Sequence, residues 1–365
     1  MRPRHPEIET LEEFDRLAAQ ARRTHGSMSG WQVQSLDLSG RSDVLTSLDP
    51  RGALFLGCEI DDAVADRLRA GGALLFPGVP DVPFDPWRGH LYSPAELYDG
   101  LAQGYDATPD ARIYAWSRQA TREGSLRSLL AAALHDSSID DALTELVADR
   151  RVVGVMGGHA LTRTDPAYAD AARLGHQLAR HGLTVATGGG PGAMEAANLG
   201  ARLAGHDESV LDEVVARIAT VPSFRPDVTA WARAALDAVA DLEDSGRSLG
   251  IPTWHYGHEP PNPFGSAVAK YFRNAIREDV LLETCRAGIV FLPGAGGTVQ
   301  EIFQAACTNF YAAQEAVAPM VLVGEEQWTR TLPAWPLVSA LGTDRPFAAR
   351  THLVDHTRDV LALLA

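Results

Sequence analysis

Two short apolar runs, about a hundred residues apart, each break into glycine and then into a helical pattern, and this pairing limits the fold more than any other feature. The first is Leu183–Ala186, which runs through Thr187 into Gly188-Gly189-Gly190-Pro191-Gly192 and then a helix to about Ala204. The second is Gly288–Leu292, which runs into Pro293-Gly294-Ala295-Gly296-Gly297-Thr298 and then a helix over Val299–Tyr311. Glycine between a strand and a helix lets the backbone turn sharply and lets a ligand approach it. The first N–H groups of the helix and its dipole then face the loop, which makes an anion site. Pro191 suits a first helical turn because its missing N–H would be unpaired there anyway.

The surrounding pattern repeats this alternation. Val152–Met156 is apolar and stops at Gly157-Gly158, and Pro166–His181 has helical spacing with Gly182 as its stop. Ile251–Tyr256 reads as a strand, His258–Phe264 as a proline-rich loop, Gly265–Cys285 as a long helix and Pro319–Val323 as a strand. Strands alternating with helices predict an α/β fold, a Rossmann-like doubly wound parallel sheet, within a domain spanning 126–365. Residues of about 205–250 are mostly helical and acidic and form a helical insertion, with the run from Asp207 to Asp244 as a solvated face. Residues 1–125 form an extra N-terminal α/β unit with a helix over 8–24 and β-like runs at Trp31–Leu38, Ala53–Glu59 and Ala73–Pro77. Gly78–Gly89 reads as loop, with helices near Pro94–Gln103 and Leu126–Arg150, and no internal repeat stands out.

A formal net charge of −15 argues against a general nucleic-acid binder, yet a local helix N-terminus and one arginine still hold a small phosphate. No apolar run reaches the roughly 18 residues that cross a membrane, and the first twenty residues carry no secretory pattern. Cys58, Cys285 and Cys307 are too scattered for a disulfide framework or a zinc site, so the cytoplasm is the expected compartment. Cys285 and Cys307 sit on helical patterns and are expected in the core. His255 and His258 are three apart, but the flanking glycine and prolines argue for a polar loop near the pocket mouth and against a metal pair. Asn262 and Phe264 in that loop are candidates to touch a base.

Neither glycine loop is a P-loop, and no acidic residue ends the next strand to hold a ribose as in dinucleotide dehydrogenases. Together, Gly188–Ala196 and Pro293–Glu301 resemble the LOG ("Lonely guy") family of Rossmann-fold nucleoside 5′-monophosphate phosphoribohydrolases, over about residues 150–325. The extra segments resemble the long bacterial nucleotide nucleosidases more than the short plant-type enzymes. The family pattern Pro-Gly-Gly-x-Gly-Thr-x-x-Glu is matched at Pro293, Gly294, Gly297, Thr298 and Glu301. It is broken at Ala295, and Gln300 stands where many members have glutamate. The family's arginine before the second loop falls best on Arg277, with Arg273 one turn earlier as the second choice. The loop Met156–Ala160 resembles the family's first loop, which places Gly157 and Gly158 beside the nucleotide, with His159 meeting base or phosphate or lying at the surface.

The resemblance implies hydrolysis of the N-glycosidic bond to free base and ribose 5-phosphate, with no metal and no cofactor. Glu301 is then the carboxylate that stabilises the oxocarbenium-like sugar or activates water, and Arg277 neutralises phosphate or orients the ribose and Glu301. The nucleotide-binding set is Gly157, Gly158, Gly189, Gly190, Gly192, Glu195, Pro293, Gly294, Gly296, Gly297, Thr298 and Arg273, with Glu195 on the ribose hydroxyls. The bland alternative makes Thr298 a helix cap and Glu301 the partner in a Thr-x-x-Glu capping box. The competing function is a non-catalytic nucleotide sensor, or a carrier of a phosphate-bearing cofactor such as molybdenum cofactor. A lysine decarboxylase is disfavoured because no lysine stands in a pyridoxal-type setting. The resemblance also implies a homodimer or larger assembly, with no nucleic-acid or membrane partner.

Overall fold

A computed structural model describes residues 7–24, 26–243, 245–255 and 259–364. Its contacts divide the chain into two compact units, residues 1–90 with 116–142, and residues 91–115 with 143–365. The units interleave along the chain, where the sequence suggests one cut near residue 125.

The first unit carries β1 (Glu7–Ile8), α1 (Leu11–Arg23), β2 (Gln32–Gln34), α2 (Ser42–Thr46), β3 (Leu54–Leu56), α3 (Asp62–Ala70) and β4 (Leu74–Phe76). The four strands pair in parallel in chain order, so each strand–helix step adds one rung to a ladder. Gln32 pairs with Leu54 and Leu54 with Leu74. Ile8, Val33 and Phe55 point inward and are buried with Phe14 and Trp31. Ser35 and Gly57, at equivalent places after β2 and β3, both take a positive φ (51° and 65°). This repetition is carried by backbone shape more than by residue identity, so no internal repeat stands out in the sequence.

Three helices follow: α4 (Pro94–Leu97), α5 (Pro109–Glu123) and α6 (Leu126–Val147). The second unit then builds β5 (Val152–Met156), α7 (Pro166–Arg180), β6 (Thr184–Thr187), α8 (Ala193–Arg202), α9 (Glu208–Ile218), α10 (Val228–Val239), β7 (Ser248–Gly250) and β8 (Ala267–Val268). It finishes with α11 (Asn274–Thr284), β9 (Ile289–Phe291), α12 (Gly296–Tyr311), β10 (Met320–Val323), α13 (Ala334–Gly342) and β11 (Thr351–Val354). The seven strands form one parallel sheet in the order β11-β10-β9-β5-β6-β7-β8. This is the Rossmann-like doubly wound architecture, with its order reversing between β5 and β9.

The strands β5, β6, β9 and β10 are buried throughout, as expected for a sheet covered on both faces. The insertion is amphipathic: α9 and α10 turn Leu211, Val214, Ile218, Ala235 and Val239 into the main core. Three expectations differ. The strand expected over 251–256 lies at β7, and the helix expected from Gly265 begins at Asn274, preceded by the short strand β8. Cys285 is buried but Cys307 is exposed.

The segment Leu91–Ala115 is tied into this unit by one buried charge pair. Lys270, the only lysine in the sequence, is 1% exposed and places its ammonium 2.6 Å from Asp110. Asp110 also accepts from the Trp254 indole at 2.9 Å and the Tyr105 hydroxyl at 2.6 Å. Burial pushes the Lys270 pKa down, and Asp110 opposes that shift.

Candidate functional site

At the point where the strand order reverses, the loops after β5, β6 and β9 meet around a cavity of about 740 Å³. The crevice outside the carboxyl ends of such strands is the ordinary ligand place of an open α/β sheet. Gly157 and Gly158 follow β5, and Gly188 follows β6. Pro293, Gly294, Gly296, Gly297 and Thr298 follow β9, and all of these line the cavity. The Gly158 amide donates to the Pro293 carbonyl (3.1 Å), and the Ala193 amide donates to the Gly158 carbonyl (3.1 Å), which locks the three loops together.

The helix α12 opens into this cavity. Its N-cap is Ala295, and no side chain caps it. A Cβ on Gly296 or Gly297 would meet nothing within 4 Å, so the turn faces open space. Gly294 is packed instead, because a Cβ there would lie 2.1 Å from the Thr298 hydroxyl oxygen. Ala295 has φ −119°, a conformation any residue adopts, so its replacement of a glycine does not strain the loop. Gln300 is exposed and lies outside the cavity wall.

The capping-box reading fails on this geometry. Thr298 is the third residue of α12, and Glu301 reaches toward Arg277, with 4.0 Å between Oε1 and Nη1. Arg277 in turn lies 3.2 Å from Glu278 Oε2. All three groups are buried and line the cavity, and Arg277 Nε has no hydrogen-bond partner among the described residues. Burial, and then the neighbouring Glu278 charge, raise the Glu301 pKa from its ordinary 4.5 to about 8, against the pull of Arg277. Burial and the Glu278 charge thus favour the protonated form of Glu301.

Glu278 is the residue that the motif comparison does not find. A signal for it is present in α11, where Leu281 and Leu282 are buried. One turn back along that stripe lie residues 277 and 278, so both charges share the buried face.

Seven other expected residues lie elsewhere. Glu195 is 1% exposed and binds Arg163, with Oε1 2.8 Å from Nε, and the Arg163 guanidinium lies over the Trp231 ring. Desolvation raises its pKa while Arg163 lowers it, so it braces the core and does not face the cavity. Gly189 and Gly190 turn their carbonyls to Asn262, which donates from its backbone N (2.8 Å) and from Nδ2 (3.2 Å). Gly192 takes φ +77° against the Gly158 carbonyl. Only Gly188 of that loop faces the cavity. Arg273 stands at the N-cap of α11, outside the wall. Asn262 and Phe264 are buried and do not line the cavity.

His159 lines the mouth and lies 3.4 Å from Glu259 Oε1. Tyr256, Gly257 and His258 lie outside the described residues. Among the described residues no group of His, Cys, Asp and Glu is arranged to hold a metal, and no helix is long and apolar enough to cross a membrane.

Residues 150–206, which carry β5, α7, β6 and α8, match the model of the SLOG cluster4 family. No curated protein matches the chain by sequence. Among solved structures, the chain is similar to the molybdenum cofactor binding protein from the phototrophic bacterium Rippkaea orientalis. The two are 16% identical over 59% of this chain and 96% of that one, with a TM-score of 0.35. The structural-genomics target TM1055 is 20% identical over 59% and 98% of the two chains, with a TM-score of 0.38. The Moco carrier protein from Chlamydomonas reinhardtii is 19% identical over 58% and 94%, with a TM-score of 0.32.

Proposed function

We propose that this cavity binds a nucleoside 5′-monophosphate and hydrolyses its N-glycosidic bond, releasing the base and ribose 5-phosphate. The observation that carries this reading is the buried Arg277–Glu278–Glu301 cluster in the wall of the cavity into which the α12 N-terminus opens. The phosphate sits on the open turn at Gly296–Thr298, where N–H groups and the helix dipole favour an anion. The unpartnered Arg277 Nε offers one more donor to the ligand.

With the phosphate held, the sugar lies against the acid pair. Cleavage leaves positive charge on the ribose and negative charge on the departing base nitrogen. Glu301, protonated at neutral pH, gives its proton to that nitrogen. The Glu278 carboxylate faces the oxocarbenium carbon and takes a proton from the water that forms the new C1′–O bond. Arg277 holds Glu278 in place between turnovers. The two carboxyl groups thus take the acid and base roles.

The test is a panel of nucleoside monophosphates incubated with the protein, with released base measured by chromatography. Turnover of any of them that is lost in Glu301→Gln supports the reading. Binding without release of base from every member of the panel would instead make the protein a sensor or carrier. The expected assembly is a homodimer or larger, which light scattering on the purified chain measures.

A further inference from the structure

Beside the glycine-lined cavity lies a second one of about 350 Å³, at the carboxyl ends of β9 and β10 and against α7. The two share Leu161 and Pro293 as a common wall. Their chemistry differs. The first is lined by glycine backbone and charge. The second has a floor of Leu161, Leu174, Ala193, Leu292 and Val323. Around that floor stand the ion-paired Asp170 and Arg173, and Asp355, which accepts from the Glu325 amide; beside them Gln177, His356 and Arg358 have side chains that make no hydrogen bond or ion pair among the described residues. An apolar floor ringed by a few unengaged polar groups is the ordinary form of a small-molecule pocket. A flat ring with polar edges fits it: the faces lie on the aliphatic floor, and the edge atoms meet the amide, imidazole and guanidinium.

A third cavity of about 230 Å³ competes for that role, since Phe224 and Trp231 line it. Its buried carboxylate, Glu195, is paired with Arg163, and Arg225 stacks over the Phe224 ring at 5.4 Å. It is smaller, and its one arginine in the wall is already stacked on a ring.

We propose that the 350 Å³ cavity is a subsite for a planar heteroaromatic ring. The ring is either the base of the nucleotide whose phosphate sits on α12, or a separate free base or nucleoside. The proposal uses the functional reading above only for the place of the phosphate, and it does not depend on bond cleavage.

Equilibrium binding of adenosine, uridine, AMP, UMP and ribose 5-phosphate tests it, by calorimetry or saturation-transfer NMR. Ala167 is exposed at the start of α7 and lines this cavity, so Ala167→Trp fills the space from a position that packing does not constrain. Ala167→Trp is expected to weaken the nucleosides or nucleotides by roughly tenfold or more while leaving ribose 5-phosphate unchanged. Arg358→Ala, also exposed, is expected to weaken the same ligands several-fold and serves as an independent variant. If the ring belongs to the nucleotide, adenosine and AMP compete for one site. If it is a separate ligand, adenosine binds alongside AMP. Nucleoside and nucleotide affinities within twofold of the parent in both variants would overturn the proposal, as would no binding of any base-bearing probe. Failure of ribose 5-phosphate alone would count against the phosphate site and leave this subsite standing.

Discussion

Glu301 is the residue whose chemistry depends most on its surroundings. Its proton is held by burial and by the Glu278 charge, so the acid form persists to about pH 8. Two consequences follow by linkage. Between its ordinary pKa of 4.5 and about 8 the native state binds a proton that the unfolded chain has released. Stability from this group is therefore fully present below about pH 4.5 and is lost as pH rises toward 8. Glu301→Gln should flatten that decline, read as urea midpoints at pH 5, 6.5 and 8. The second consequence concerns rate. Loss of the general acid should cost about 10²–10⁴ in turnover. In the parent protein turnover should fall as pH rises through the pKa of the bound complex. Glu278→Gln removes the second-largest cause of the shift, so the Glu301 titration, followed by carboxyl infrared absorbance, should move down. An unmoved titration would mean that burial alone sets the proton.

At the scale of elements, the junctions decide what the site is. Gly296 opens α12 into empty space, so Gly296→Asp should fold normally and even suit the helix dipole. The same carboxylate opposes a bound phosphate, and ribose 5-phosphate affinity should fall by roughly tenfold or more, measured by calorimetry. Gly192→Ala is the contrasting case. Its φ is +77° and a Cβ would lie 2.5 Å from the Gly158 carbonyl oxygen, so about 1–3 kcal/mol of stability should be lost in denaturant titrations.

These junctions were also the legible part of the chain. Apolar runs that stop at glycine identify β5, β6 and β9, and Val152–Met156 is the strand as expected. The loop after β9 is legible as a strand-to-helix junction, because strand, glycine and helix follow one another without interruption. The roles of Glu195 and Glu278 were not legible. Each depends on a partner or a packing face brought by the fold: Arg163 reaches Glu195 across 32 positions of sequence, and the rotation of α11 buries Glu278. In the first unit the runs holding β2, β3 and β4 are legible but their repetition is not, for a similar reason. Ser35 and Gly57 perform the same turn with different side chains. The strands there are two or three residues long, too short for alternation to declare itself.

For the molecule as a whole, cationic charge is almost entirely arginine: of 32 basic residues one is lysine. That lysine is the ion-paired Lys270, sealed against Asp110 and Trp254. Removing its partner alone leaves a buried charge uncompensated, so Asp110→Asn should cost about 3–5 kcal/mol in a denaturant titration. The pair also gives the chain an unusual chemical signature. Side-chain amines are what acylating dyes, aldehydes and lysine-directed crosslinkers attack, and the folded protein presents none of them to solvent. Exposed to an N-hydroxysuccinimide ester, Lys270 should stay unmodified until the unit around it opens, so the peptide bearing it becomes a mass-spectrometric clock for unfolding. Immobilisation through lysine should likewise fail, while coupling through the exposed Cys307 thiol should succeed.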